Sequence, residues 1–153
     1  MKGLVRRESR SDSLRRGLTQ RKSHVVHLTH NDLDAVGSDA VHRIRYGDVF
    51  TIFSSVGAFP QMLAILANEP GNGDLVSITD FGYQNGIEKT LQKAKNTGWH
   101  IEWRDHHRWR EDEIRAVNRI GIHLTVDTAT CATGIAAREL TENNPHTAEV
   151  ARV

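Results

Sequence analysis

The chain of 153 residues has a single cysteine, Cys131, and no apolar run long enough to cross a membrane. One thiol excludes an internal disulfide framework and a zinc site closed by thiolates, and it suits a reducing cytosol. A membrane-spanning helix needs about 20 predominantly apolar residues, so we expect no membrane partner. The chain also lacks internal repeats and low-complexity blocks. These absences predict a cytoplasmic globular protein, long enough to bury roughly two-thirds of the surface that its unfolded chain exposes.

The net charge of +1 hides an asymmetry between the first 22 residues and the remainder. Residues 1–22 contain eight basic and two acidic side chains, which leaves 12 basic and 17 acidic side chains in residues 23–153. A basic leader can hold nucleic acid or act as a targeting signal. The alternative is a solvated, partly helical extension. We therefore leave residues 1–22 outside the predicted fold and assign residues 23–153 to one domain.

From Ser23 onward, short β-rich runs alternate with longer amphipathic ones. The predicted strands are 24–29, 49–55, 75–79, 99–104 and 122–126, and the predicted helices are 35–45, 58–68, 86–96, 111–118 and 131–140. This alternation predicts an α/β fold, a three-layer sandwich with helices on both faces of a mainly parallel five-stranded sheet. Residues 147–153 have the pattern of an unfinished helix, from which we expect a truncated parent protein.

Acidic and imidazole side chains follow four of the predicted strands. They are His30, Asp32 and Asp34 after the first strand, Asp80 after the third, Asp105, His106 and His107 after the fourth, and Asp127 after the fifth. Because the carboxyl ends of parallel strands meet at one rim, we expect these side chains to share a crevice. Crowded carboxylates repel one another unless cations relieve the repulsion. Oxygen ligands with one or two imidazoles favour Mn²⁺ and are compatible with Mg²⁺, and a pair of such ions can activate a phosphoryl group.

Three segments that carry these residues resemble the first three motifs of the DHH phosphoesterases. They are THNDLDAVGSDAV at 29–41, SITDFG at 77–82 and RDHH at 104–107, and the likeness extends over about 23–140. The superfamily includes RecJ-type exonucleases and nano-RNases. The resemblance implies a Rossmann-like domain that uses two manganese ions to hydrolyse phosphodiester or phosphoanhydride bonds. It implies a nucleotide or a short single-stranded oligonucleotide as the substrate.

The resemblance also assigns a role to each side chain of the predicted crevice. The implied ligands are His30 and Asp32 for one ion, Asp34 and His106 for the other, and Asp80 for both. Asp105 would orient a neighbouring imidazole, and His107 would contact the phosphate.

The chain departs from the family pattern in two places. The fourth motif of the family supplies a further aspartate, and Asp127 has the right neighbour but comes early in the chain. A metal-ligand role and a helix N-cap or orienting role both stay open for Asp127. We find no glycine-rich carboxy-terminal substrate-binding domain, so the alternative to an enzyme is a catalytically incomplete fragment that binds metal or nucleotide. A homodimer is a further expectation.

Some other residues are candidate substrate contacts. Ser38, which follows Gly37 at the predicted opening of the first helix, is placed to receive a phosphate. Tight helix–strand packing explains Gly37 equally well. Arg108 is a second candidate phosphate contact. Trp109, between Arg108 and Arg110, could stack a base while the arginines hold phosphates.

Overall fold

A computed structural model describes residues 7–141 of the chain, which form six helices and five strands. In chain order the elements are α1 (Arg10–Gln20), β1 (Val25–His30), α2 (Leu33–Tyr46), β2 (Phe50–Ser54), α3 (Phe59–Ala67), β3 (Leu75–Thr79), α4 (Ile87–Asn96), β4 (His100–Asp105), α5 (Glu111–Asn118), β5 (His123–Val126) and α6 (Ala132–Leu140). The strands are all parallel and lie in the order β2-β1-β3-β4-β5. In this part of the chain, no helix combines the length and the apolar composition that a membrane crossing requires.

The predicted three-layer α/β sandwich is confirmed. On one face of the sheet, Val26 and Leu28 of β1 join an apolar core with residues of α1, α3, α4 and α5. On the other face, α2 packs against α6 around Val41 and Ala136. Each of the ten elements predicted from Ser23 onward is present, and no boundary differs from the prediction by more than two residues.

The two faces of β1 have different chemistry although both are buried. Val26 and Leu28 lie on the apolar face, whereas His27 and Thr29 lie on the face under α2, and all four side chains are fully buried. A parallel strand covered on both faces usually carries apolar side chains throughout. The polar residues on the α2 face must therefore find hydrogen-bond partners inside the protein.

Helix α1 lies in the segment that the sequence analysis left outside the fold. Its residue Leu18 is fully buried in the main core. Arg21, which follows the helix, forms a 2.7 Å ion pair with Asp74, and its guanidinium lies 4.6 Å from the centre of the Trp99 ring. The structure thus corrects the expectation of a solvated extension for residues 10–21. Residues 1–6 and the helix predicted at 147–153 lie outside the described residues.

The strand order creates a topological switch point between β1 and β3. From β1 the chain crosses to β2 on one side and later reaches β3 on the other side. In open parallel sheets, the crevice at the carboxyl ends of two such strands is the usual ligand site. His30 is the last residue of β1, and Asp80 directly follows β3. The fold therefore brings these two candidate ligands to the same crevice.

Candidate metal centre

Asp80 combines a strained backbone with an unpaired buried oxygen. Its φ is +63°, in the left-handed region that residues other than glycine rarely adopt. The residue is 2% exposed, and its Oδ1 lies 2.8 Å from His106 Nε2. Among the described residues its buried Oδ2 has no hydrogen-bond partner, and His30 Nδ1 lies 3.6 Å from that oxygen, beyond hydrogen-bond distance. A buried carboxylate oxygen without a partner is costly, so this position favours a cation or a proton.

His30 and Asp32 form the first group of ligand-type atoms with Asp80. One ligand atom from each of the three residues lies within 4.8 Å of the others. His30 Nδ1 is 2.9 Å from Asp32 Oδ2, while Asp32 Oδ1 accepts the amide hydrogen of Ala35 at 2.9 Å and caps α2. Asp32 therefore stabilises its own helix and presents its second oxygen to the crevice.

A second group joins Asp80 to the D-H-H segment. One ligand atom each from Asp80, Asp105, His106 and His107 lies within 4.8 Å of the others. Asp105 is fully buried, with Oδ1 2.7 Å from His107 Nδ1 and Oδ2 accepting the indole hydrogen of Trp109 at 2.7 Å. Both of its oxygens are thus committed to other residues. This geometry suits an orienting role for Asp105 better than a ligand role.

The neighbouring carboxylates of Asp80 and Asp32 have pKa values that are shifted in opposite directions. Burial, followed by the neighbouring Asp32, raises the pKa of Asp80 to about 6, although His106 partly offsets the shift. Partial burial opposes ionisation of Asp32, but hydrogen bonds from the Ala35 amide and from His30 lower its pKa overall. Asp32 therefore holds its negative charge more readily than Asp80. A divalent cation would relieve the repulsion that now favours a proton on Asp80.

Asp34 lies at the same rim but is tied to another helix. Its two carboxylate oxygens accept the amide hydrogens of Ala132 and Thr133, each at 2.9 Å, in the first turn of α6. Its Oδ2 is 3.6 Å from His106 Nε2. That oxygen accepts a single hydrogen bond, so one lone pair is left for a cation. Among the described residues, Asp34 is near the second ligand group without belonging to it.

Ser38 does not lie where a phosphate could reach it. Helix α2 begins at Leu33, two residues earlier than predicted, so Gly37 and Ser38 lie in its second turn. Ser38 is fully buried, and its Oγ is 3.5 Å from Thr133 Oγ1. A Cβ on Gly37 would lie 2.5 Å from the same Thr133 oxygen. The structure thus corrects the predicted phosphate contact and supports the alternative of tight packing at Gly37, here between α2 and α6.

The D-H-H segment also corrects one expectation about substrate binding. Trp109 is 7% exposed and packs edge-on against Trp103, with ring centres 4.9 Å apart, so its ring is not free to stack a base. Arg108 is exposed and does not line the crevice. The contribution of Trp109 to the site is its hydrogen bond to Asp105.

Asp127 is occupied away from both ligand groups. Its Oδ1 accepts the Ala129 amide hydrogen and its Oδ2 a hydrogen from Arg138, each at 2.9 Å. These two contacts lower its pKa. Among the described residues Asp127 belongs to neither ligand group, and it is not a helix N-cap, because Cys131 occupies that position in α6. Its two contacts instead hold the turn between β5 and α6.

The crevice also has a wall that the sequence analysis missed. Its volume is about 400 Å³, and beyond the candidate ligands and His107 it is lined by Val56, Gly82, Tyr83 and Gln84. The Gln84 side-chain amide donates to the Val56 carbonyl at 2.9 Å, which ties the loop after β3 to the loop after β2. The one sequence signal for these residues is that they follow strand ends at the predicted rim.

No protein-family model matches the chain, and no curated protein matches it. The interpretation of the site therefore depends on its own geometry. In the part of the chain that the structure describes, two groups of ligand-type atoms share Asp80, and its buried Oδ2 lacks a hydrogen-bond partner. Carboxylate and imidazole groups arranged in this way fit divalent cations of the manganese or magnesium type.

Proposed function

We propose that this domain is a divalent-metal-dependent phosphoesterase of the DHH type. Its substrate would be a nucleotide or a short single-stranded oligonucleotide, cleaved at a phosphodiester or phosphoanhydride bond. The observation that carries the proposal is the position of Asp80, which two ligand groups share and whose buried Oδ2 has no hydrogen-bond partner within residues 7–141. The resemblance of the segments at 29–41, 77–82 and 104–107 to three DHH motifs is the second support.

The candidate ligands divide naturally around Asp80. His30 and Asp32 would hold one ion, and His106 with the free lone pair of Asp34 would hold the other. Each set combines one imidazole with carboxylate oxygens, which suits Mn²⁺. A pair of bound divalent ions would supply charge neutralisation of the phosphoryl group and a water of lowered pKa.

His107 is the proposed phosphate contact. Its side chain is 53% exposed at the crevice, and its Nδ1 is hydrogen-bonded to the buried Asp105. This contact leaves Nε2 for a substrate oxygen. Asp105 is in turn held by the Trp109 indole, so the imidazole has a defined orientation before substrate binds.

Hydrolysis of a dinucleotide and of bis(p-nitrophenyl) phosphate with added MnCl2 tests the proposal. We expect turnover that requires Mn²⁺ and is lost in Asp80→Asn, a substitution that keeps the shape of the side chain and tolerates its positive φ. The control is Asp48→Asn, which changes an exposed aspartate outside the crevice. Turnover that survives Asp80→Asn would contradict the mechanism. Manganese binding without turnover of either phosphoester would instead support the catalytically incomplete fragment.

A further inference from the structure

A chain of buried hydrogen bonds runs from α2 to the strand ends beside Asp80. Asp39 Oδ1 lies 2.9 Å from His27 Nδ1, and His27 Nε2 lies 2.7 Å from Thr79 Oγ1. Thr79 Oγ1 is in turn 2.8 Å from Thr29 Oγ1, and the Thr29 hydroxyl donates to the Thr79 carbonyl at 3.2 Å. His27, Thr29 and Thr79 are completely buried. None of the candidate metal ligands belongs to this hydrogen-bond network.

Both threonines stand directly before candidate ligands. Thr29 and Thr79 are register partners in β1 and β3, and the next residues in the chain are His30 and Asp80. The hydrogen bonds therefore cross-link the two strands at the switch point, one residue before the crevice begins. They also include the carbonyl of the peptide that leads into the strained turn at Asp80.

The network is anchored at its far end. Asp39 accepts hydrogen bonds from Arg43 Nε at 2.9 Å and from the Thr51 hydroxyl on β2. His42 stacks on His27, with ring centres 3.9 Å apart and an angle of 14° between the rings. The His27 ring is therefore restricted by hydrogen bonds at both nitrogens and by packing against its face.

Apolar side chains would fill the same space without any polar atom that needs a partner. Hydrogen bonds restrict the distance and direction between groups more narrowly than apolar contacts do. A residue with positive φ keeps that conformation where the surrounding structure holds it. A metal site needs its ligands within about 0.5 Å of the productive geometry. The buried network supplies such a restraint one residue from Asp80.

We infer that His27 and Thr79 are positioning residues of the candidate metal centre. Their hydrogen bond, anchored on Asp39, holds the turn at Asp80 against β1 and so sets the separation of Asp80 and His30. The inference rests on the proposed function, because it concerns ligands of the proposed ions.

Manganese titration of Thr79 variants tests the inference. Thr79→Val removes the hydroxyl but keeps the shape, and we expect the Mn²⁺ dissociation constant to rise roughly 10- to 100-fold, as for other residues that support metal ligands. Thr79→Ser keeps the hydroxyl and is the matched control, so its dissociation constant should stay close to that of the wild-type protein.

The double variant His27→Leu/Thr79→Val separates positioning from simple loss of stability. Thr79→Val alone leaves His27 Nε2 without a partner, whereas the double variant replaces both groups with apolar ones, so its unfolding midpoint should recover. Manganese binding that stays weak in this stable variant supports positioning. Recovery of both the midpoint and the affinity would show that the single variant had merely destabilised the fold, and it would overturn the inference.

Calorimetry of the wild-type protein with MnCl2 distinguishes failure of the proposed function from failure of this inference alone. If the wild-type protein takes up no manganese, the proposed function fails and the inference fails with it. If it binds manganese and Thr79→Val binds equally well, only the inference fails.

Discussion

Asp34 of α2 accepts the backbone amide hydrogen of Thr133, 99 positions later in the chain, at 2.9 Å. The adjacent amide of Ala132 donates to the other oxygen of the same carboxylate. The first turn of α6 is thus capped by a residue of a different helix. The residue at the usual capping position, Cys131, makes only a 3.4 Å contact from its sulfur to the Gly134 amide.

We predict that Asp34→Asn lowers the free energy of unfolding by about 1–3 kcal/mol, because a carboxamide has one acceptor oxygen and turns an N–H toward an amide donor. Urea unfolding in the absence of metal measures the change. Cys131→Ala is the control and should cost less than Asp34→Asn. Equal costs for the two variants would show that Asp34 is not the main cap of α6.

Asp80→Asn should stabilise the metal-free protein while it removes manganese binding. The pKa of Asp80 is raised to about 6, so the charged form destabilises the fold above that pH, and the stability that a proton provides is lost as the pH rises through 6. At pH 8 with EDTA we expect a gain of about 1–3 kcal/mol, since one pKa unit corresponds to about 1.4 kcal/mol. Urea unfolding measures it, with Asp48→Asn as the control. A less stable Asp80→Asn protein would contradict the electrostatic account.

The two stacked histidines should make the fold sensitive to acid. Burial is the largest cause that lowers the pKa of both His27 and His42. The folded protein therefore binds fewer protons than the unfolded chain below pH about 6.5. The stability that neutral histidines provide is present above that pH and is lost as the pH falls.

In the Asp80→Asn background, which removes the opposite contribution of Asp80, the free energy of unfolding should fall between pH 6.5 and 5. The expected slope is at most about 1.4 kcal/mol per pH unit for each histidine. Urea unfolding at several pH values gives the slope. A flat profile in this background would contradict the prediction.

Manganese should protect the wild-type protein from thermal unfolding in a pH-dependent way. A ligand that binds only the folded state raises the unfolding midpoint, and a proton on Asp80 competes with the ion. Because the pKa of Asp80 is about 6, the shift caused by MnCl2 should be large at pH 8 and small at pH 5. Thermal scans with and without MnCl2 measure this shift. An equal shift in Asp80→Asn at pH 8 would mean that the ion binds elsewhere.

Local patterns account for the part of the structure that the sequence predicted. The alternation of side chains in strands and the 3.6-residue period of helices depend on near neighbours, and turn residues mark where each element ends. For this reason the elements from β1 to α6 lie within two residues of their predicted positions. The rule that strand ends meet at one rim then predicted the grouping of His30, Asp32, Asp80 and His106, which the structure shows.

Long-range packing accounts for what the sequence analysis missed. Ser38 was a candidate substrate contact because it follows a glycine, but α6 covers it. Trp109 was a candidate because it lies between two arginines, but Trp103 packs against its ring. Leu18 belongs to the basic segment of residues 1–22 that was left outside the predicted fold, yet the main core covers it. In each case the deciding contact comes from a residue distant in the chain.

The sequence by itself determined the order and type of the elements from Ser23 to Leu140, the parallel sheet, and the set of acidic and imidazole side chains at its rim. Only the tertiary structure decided which of those side chains share a cation-sized space, that Asp34 caps α6, and that His27 and Thr79 join β1 to β3 beneath Asp80. The physical reason is the distance along the chain over which each effect acts. Periodicity acts over a few residues, whereas a ligand set or a hydrogen-bond network depends on distances of about 3 Å that exist only after the strands and helices have packed.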